Sequence, residues 1–280
     1  MQIRSTPIKF GLRALVLLGL FAALAIFVQS ANAATNNYVV KPSSSDWAFV
    51  NDNGTLGDWA TGFETGPATP PLGAGSFYIQ LNSASAGIFL GTQKYQGTYL
   101  SNISALSYST YTNQQPQAIS FQINYDPDLS TVEGTWYGRL IYEPYVNGTV
   151  SNNTWQTWDM INGGNGKWWA SNNGNSTVDD TCPQGSPCTW SALIAAFPNI
   201  GIRNDANSMI LFKAGSNWNG FDGNADNFTF ETSGGDTDIY DFEPETPCTT
   251  TCYVNTATGN DSFGGDTPTS AKKTIQAAVN

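Results

Sequence analysis

The sequence contains no histidine, and that absence removes more chemistry than any motif adds. Without imidazole there is no Ser-His-Asp or Cys-His nucleophile system and no imidazole general base. Zinc sites usually draw on His as well as Cys, so the same absence argues against a metal reading of the cysteines. Positive charge is scarce too, with 11 Lys and Arg against 22 Asp and Glu. No basic cluster stands ready for a phosphate backbone or an anionic bilayer, which argues against nucleic-acid and membrane partners. Also missing are a Gly-x-Ser-x-Gly elbow, a Gly-x-x-x-x-Gly-Lys phosphate loop and a dinucleotide fingerprint. A glycosidase needs only two carboxylates. The densest pairs, Asp126-Pro-Asp128 and Asp179-Asp180, have the composition of turns rather than of a catalytic pair.

The chain has one long apolar run, at its start. Arg4, Lys9 and Arg13 precede or open the run Ala14–Val28, and Ala31-Asn32-Ala33 fits small-x-small cleavage. At 15 residues the run is short of the ~20 needed to span a bilayer. It reads as a secretory signal peptide over residues 1–33, cleaved after Ala33 to leave a soluble, secreted protein. Cleavage removes three cations and no acids, so eight basic side chains face 22 acidic ones, a formal charge of −14.

Four cysteines lie beyond the leader: Cys182, Cys188, Cys248 and Cys252. In an exported chain an even number implies disulfides, with three connectivities possible. The loop Cys182-Pro-Gln-Gly-Ser-Pro-Cys188 and the run Cys248-Thr-Thr-Thr-Cys252 favour the two local pairs, 182–188 and 248–252.

What is abundant is Gly, Asn, Ser, Thr and aromatic residues, among many short alternating runs. Phe77, Ile79 and Leu81 alternate with polar neighbours. So do Ile119, Phe121, Ile123 and Tyr125, which predict a half-buried strand. Residues 136–143 predict another strand, with Trp136, Leu140 and Tyr142 on one face and Pro144 closing it. Residues 200–203, 208–214 and 227–231 add three more. The one expected helix of this region runs from Trp190 to Phe197, capped by Thr189 and stopped by Pro198. Many short strands with no β-α alternation predict an antiparallel sandwich of jelly-roll type over 34–234. The Gly-, Pro- and acid-rich stretch 235–247 reads as a linker. In 248–280, Tyr253 to Asn255 reads as a short strand and Ser270 as the cap of a helix carrying Ile275, Ala278 and Val279 on one face. So small a unit cannot bury its own apolar face, and it reads as the front of a longer protein.

Two family resemblances attach to these stretches. Tyr253, Val254, Gly259, Asn260, Asp261, Thr274, Ile275, Gln276 and Ala278 resemble the opening of secreted right-handed parallel β-helix proteins of the pectin-lyase-like group. The resemblance implies a first strand and a helix capping an incomplete β-helix. The segments 62–66, 73–79 and 218–228 resemble the entry and closing strands of carbohydrate-binding jelly rolls. That resemblance implies sugar recognition by exposed aromatic faces and a structural calcium shared between first and last strands. By position it nominates Glu64 and Asp226 as calcium ligands, with Asp222 and Asn224 able to complete the set. The run Asp222-x-Asn224-x-Asp226 is not an EF-hand, because Asn227 stands where that loop needs Gly and no Glu closes it.

Trp155, Trp158, Trp168 and Trp169 are the candidate sugar-stacking residues. Adjacent Trp168 and Trp169 must point to opposite faces of a strand, so one is expected inside and one outside. Three functions follow. The first is a non-catalytic binding or spacer module for an extracellular glycan, with no cofactor beyond calcium. The second is the targeting part of a polysaccharide lyase or glycoside hydrolase whose active site lies on the remainder of the β-helix. The third is a structural surface protein or adhesin that binds no sugar.

Overall fold

Alternation of apolar and polar residues decides which side of each strand faces inward, and the computed structural model follows it closely. The structure describes residues 33–279, apart from 132–134, 172, 173, 175, 176 and 216. The leader read over 1–33 falls almost wholly outside them. No helix among the described residues is long and apolar enough to cross a membrane.

Two sheets form the body. The first contains β1 (Thr35–Val40), β3 (Trp59–Thr65), β4 (Gly75–Leu81), β6 (Ile103–Thr112), β9 (Gln156–Asp159), β14 (Asp222–Thr232) and β15 (Thr237–Phe242). The second contains β2 (Ala48–Asn53), β5 (Gly87–Thr92), β7 (Ser120–Asp126), β8 (Arg139–Tyr142), β10 (Lys167–Ala170), β11 (Cys188–Thr189), β12 (Gly201–Ile202) and β13 (Ile210–Gly215). Short helices lie between and after them: α1 (Pro144–Asn147), α2 (Thr177–Thr181), α3 (Trp190–Ala196) and α4 (Ile275–Val279). The protein is all-β in class, a β-sandwich. Among the described residues the pairings between strands are antiparallel except β1 with β15, which is parallel.

The sheets meet through aromatic rings. Phe212 of β13 lies 5.4 Å from Phe77 of β4, 5.4 Å from Tyr108 of β6 and 5.2 Å from Phe228 of β14, measured between ring centroids. Trp47 and Phe121 close the same cluster at 5.9 and 5.2 Å from Phe212. All of these side chains are buried. Edge-to-face and tilted geometries of this kind add to the large area that each ring removes from water.

One strand joins the wings of the first sheet. Along one edge β14 pairs with β4 through Asp222–Ala225 and with β15 through Phe228–Glu231. Its other edge pairs with β6, with a register shift between Asp226 and Thr229. Asn227 sits at that bulge with φ +53°, a left-handed conformation that Asn tolerates better than most residues.

Several expectations need correction. Residues 235–247 do not begin as a linker. Tyr240 and Phe242 of β15 point inward and are buried, a period of two obscured by the surrounding acids and prolines. The strand expected over 136–143 is only Arg139–Tyr142. Trp136 lies ahead of it, 43% exposed, and not on the core face with Leu140 and Tyr142. Both faces of β7 carry buried side chains, where one was expected, since Ser120, Gln122 and Asn124 are buried as well. Thr189 caps α3 as expected, its Oγ1 accepting the Ala192 N–H at 3.2 Å. Asp126 and Asp128 form turns, accepting the N–H groups of Asp128 and Ser130 respectively. Both local disulfides, Cys182–Cys188 and Cys248–Cys252, are formed.

In the C-terminal stretch, Val254 makes an isolated parallel bridge to Lys272. The helix α4 starts at Ile275 and is capped by Thr274, whose Oγ1 accepts the Ala277 N–H. Asp261 Oδ1 accepts the N–H groups of Lys273 and Thr274. Ser270 is therefore not the cap. Its hydroxyl bonds Asp266 at 2.6 Å instead.

Phe212→Ala should cost about 3–5 kcal/mol, read as a lowered midpoint in denaturant with an unchanged slope. A loss below about 1 kcal/mol would contradict the central position given to this ring.

Candidate functional site

The outer face of the second sheet carries a groove of about 870 Å³. Its floor comes from residues that alternate with the core-facing ones. Arg139, Ile141 and Glu143 follow β8, Ser120 and Gln122 come from β7, and Lys213 comes from β13. Asp52 of β2 closes one end. The walls are aromatic: Trp136, Tyr145, Trp169 and Trp218. Trp136 and Tyr145 are 43% and 42% exposed, among the more exposed large side chains of the described residues. Trp169 and Trp218 are half-buried.

Hydrogen bonds hold the polar floor in place. Gln122 Nε2 donates to Ser120 Oγ at 3.0 Å, and that hydroxyl donates to the Lys213 carbonyl. Glu143 Oε2 accepts the Trp169 Nε1–H at 2.9 Å and the Tyr145 hydroxyl at 2.8 Å, so one carboxylate fixes two aromatic walls. Asp52 Oδ1 accepts from Arg139 Nη2 at 2.7 Å, and its Oδ2 accepts from Lys213 Nζ. Burial pushes the Asp52 carboxyl up, but the bonds and charges of Arg139 and Lys213 outweigh it and leave it below the ordinary carboxylate range. That direction is the opposite of what a general acid of a glycosidase requires.

The four candidate tryptophans part company. Trp168 is fully buried and donates to the Met160 carbonyl at 2.9 Å. Trp158 is buried as well, bonded to Thr110 Oγ1 at 2.8 Å. Neither presents a ring to a sugar, because both side chains are buried in the core. Trp155 sits half-buried beside the other sheet, 5.7 Å from Tyr111, with its Nε1–H on the Pro67 carbonyl. Only Trp169 of the four lines the groove. The opposite-face expectation for Trp168 and Trp169 holds. Trp136, Tyr145 and Trp218 were missed by sequence reasoning, although each stands among Gly, Asn or Pro, where exposed aromatics are least needed for a core.

Glu64, Asp222, Asn224 and Asp226 lie on the other sheet. Asp222, Asn224 and Asp226 share the outer face of β14 by their spacing. Asn224 Nδ2 donates to Glu64 Oε1 at 2.8 Å and to Ser76 Oγ at 3.0 Å. Beside them Gly62 lets the Tyr78 ring lie flat on the sheet, since a Cβ there would come within 2.9 Å of that ring. Asp226 does different work. Its Oδ1 accepts the Phe242 N–H at 3.1 Å and its Oδ2 the Leu72 N–H at 2.9 Å. Both carboxylates are engaged by neighbouring N–H groups, Glu64 by the Asn224 amide and Asp226 by two backbone amides. Among the described residues, no group of three or more His, Cys, Asp or Glu side chains is arranged to hold a metal.

No family model matches this chain, and no curated protein matches it. Among solved structures it is similar to the family 11 carbohydrate-binding module of the cellulosomal cellulase Lic26A-Cel5E of Clostridium thermocellum, at 10% identity over 68% of this chain and 89% of that one, with a TM-score of 0.37. It is also similar to a family 11 module from Clostridium thermocellum in complex with a β-1,3-1,4-mixed-linked tetrasaccharide, at 11% identity over 69% of this chain and 91% of that one, with a TM-score of 0.38. A likeness this distant assigns no ligand.

Burial raises Asp226 to about 6 against the pull of its backbone bonds. Burial, followed by the charge and hydrogen bond of Glu243, raises Asp241 to about 6. In the unfolded chain both titrate near about 3.9. Between roughly pH 6 and 4 the folded state therefore binds protons that the unfolded state releases, and stability rises as pH falls through this window. Below it, carboxyls held low in the fold, such as Asp52 and Asp238, take up protons and stability declines. The melting temperature should be higher near pH 5 than near pH 7.5, and Asp226→Asn should shrink that difference. A melting temperature that falls steadily from pH 7.5 to pH 5 would contradict the assignment.

Proposed function

We propose that this protein is an exported, non-catalytic glycan-binding module that takes a polysaccharide chain into the groove on its second sheet. One observation carries the reading. Four aromatic side chains, Trp136, Tyr145, Trp169 and Trp218, wall a groove whose floor is made of planar hydrogen-bonding groups. A sugar ring has an apolar C–H face and a rim of hydroxyls. Flat aromatic surfaces suit the face, and Gln122, Arg139 and Glu143 suit the rim. Glu143 prepays part of the ordering by holding Trp169 and Tyr145 before any ligand arrives. The two disulfides support an oxidising, extracellular setting.

The C-terminal stretch supports a second element of this reading, the opening of a β-helix. Val254 bridges Lys272 in parallel, as successive coils of a solenoid would. Tyr253, Val254 and Ile275 are exposed there, with Ile275 at 72%. In that arrangement the sandwich targets whatever the β-helix carries, including the active site of a lyase or hydrolase. The reading of a surface protein with no sugar ligand gains nothing from a groove walled in this way.

The test is binding to a panel of soluble polysaccharides. Trp136→Ala and Trp218→Ala should each weaken binding by about tenfold or more, in line with the loss of an aromatic anchor. Trp155→Ala, on the other sheet, should leave it unchanged. A folded protein that binds no member of a broad panel, or whose binding depends on Trp155 and not on Trp136, would overturn the proposal.

A further inference from the structure

The groove has two chemically different ends. On β8, Arg139 and Glu143 lie four residues apart on one face, roughly 13 Å. At the Glu143 end the carboxylate is shared by two aromatic walls. At the Arg139 end a single carboxylate, Asp52, serves two cations. Only eight Lys and Arg side chains follow residue 33, and two of them converge here. Their side chains are 18% and 17% exposed, so this is a partly desolvated cluster with one positive charge in excess. Arg139 also lies over the Phe89 ring, 5.2 Å from its centroid, and its buried Nε–H finds no acceptor among the described residues.

We propose, on the basis of the glycan-binding reading of this groove, that it selects chains bearing a carboxylate, that is, polysaccharides containing uronic acid. A neutral sugar laid over this end would strip water from an uncompensated cation. A uronate carboxylate in the same place accepts hydrogen bonds from the remaining N–H groups of Arg139 and Lys213 and brings the charge the cluster lacks. Guanidinium presents paired, coplanar donors of a kind that a planar carboxylate accepts from. The remainder of the surface is acidic and repels polyanions at long range, so the selection is local. Neighbouring sugars stack toward Trp169 at the other end, where the Glu143 carboxylate accepts from two aromatic donors.

The experiment uses the wild-type protein and three probe sets: uronic-acid oligosaccharides (oligogalacturonide, oligoalginate and oligoglucuronan), the same oligosaccharides with their carboxyl groups reduced to alcohols, and a sulfated glucan. At least one uronide should bind about tenfold more tightly than its reduced counterpart, the scale of a charge-assisted hydrogen bond. The advantage should shrink at high salt. Arg139→Gln and Lys213→Gln should each remove most of the advantage of the uronide over its reduced counterpart. The wild-type comparison decides the matter even if a variant fails to fold. Reduced chains or neutral polysaccharides bound as tightly as every uronide would overturn this inference and leave the glycan-binding reading standing. A sulfated glucan bound as tightly as the best uronide would reduce the effect to general anion attraction and overturn carboxylate selection. A folded protein that binds no glycan of any kind would overturn both.

Discussion

An edge of a β-strand can hold one partner at each point, and β14 asks its edge to hold two in succession. It pairs with β4 through Asp222–Ala225 and then with β15 through Phe228–Glu231. Where the ladder changes partners, backbone N–H groups are left over. The Asp226 carboxylate takes two of them, from Leu72 and Phe242, and Asn227 absorbs the bulge in a left-handed conformation. Because β4 carries β3 and β15 carries β1, the whole first sheet depends on this junction. The cost is a carboxylate held largely out of water and pushed up to about 6. Buried polar groups persist where the backbone would otherwise go unsatisfied, and this one does so at a fork.

With the first sheet fixed, the second is positioned by the rings that fill the interface, centred on Phe212. Its inner face is apolar, and its outer face is a row of buried or half-buried polar side chains beneath aromatic walls. The strands supply the floor and the Trp169 wall, and the connections supply the other walls. Trp136, Tyr145 and Trp218 all lie outside the strands. This division suits recognition, since the rigid sheet spaces the polar groups while the loops place the flat faces. The first sheet's outer face is different. There Glu64, Asn224 and Ser76 satisfy one another, and Trp155 is tied down by the Pro67 carbonyl.

Local pattern made the class of fold legible, and long-range geometry hid much of the site. The alternation of Phe77, Ile79 and Leu81 predicted β4 and its buried face, and Thr189 announced α3. Proximity in sequence was enough for both disulfides. The strand β15 escaped because Asp238 and Asp241, with Pro244 close behind, have the composition of a linker. Only its pairing with β14 and β1 reveals that Tyr240 and Phe242 face the core. Trp169 was recognised because adjacency to Trp168 forces one ring outward. Trp158 looked equally available, and nothing local shows that it packs against Thr110. Trp136 was assigned inward because the strand was read three residues too early. The Asp52–Arg139–Lys213 cluster joins residues 87 and 161 positions apart, and no spacing rule could have assembled it.

The most direct test of the account is to watch the indole Nε1–H signals by NMR while a bound glycan is titrated in. Trp136, Trp169 and Trp218 should shift together and saturably, because they wall the groove. Trp158 and Trp168, buried in the core, should stay where they are. A ligand that binds and moves the Trp155 signal while leaving all three groove tryptophans unchanged would place recognition on the other sheet and contradict the account.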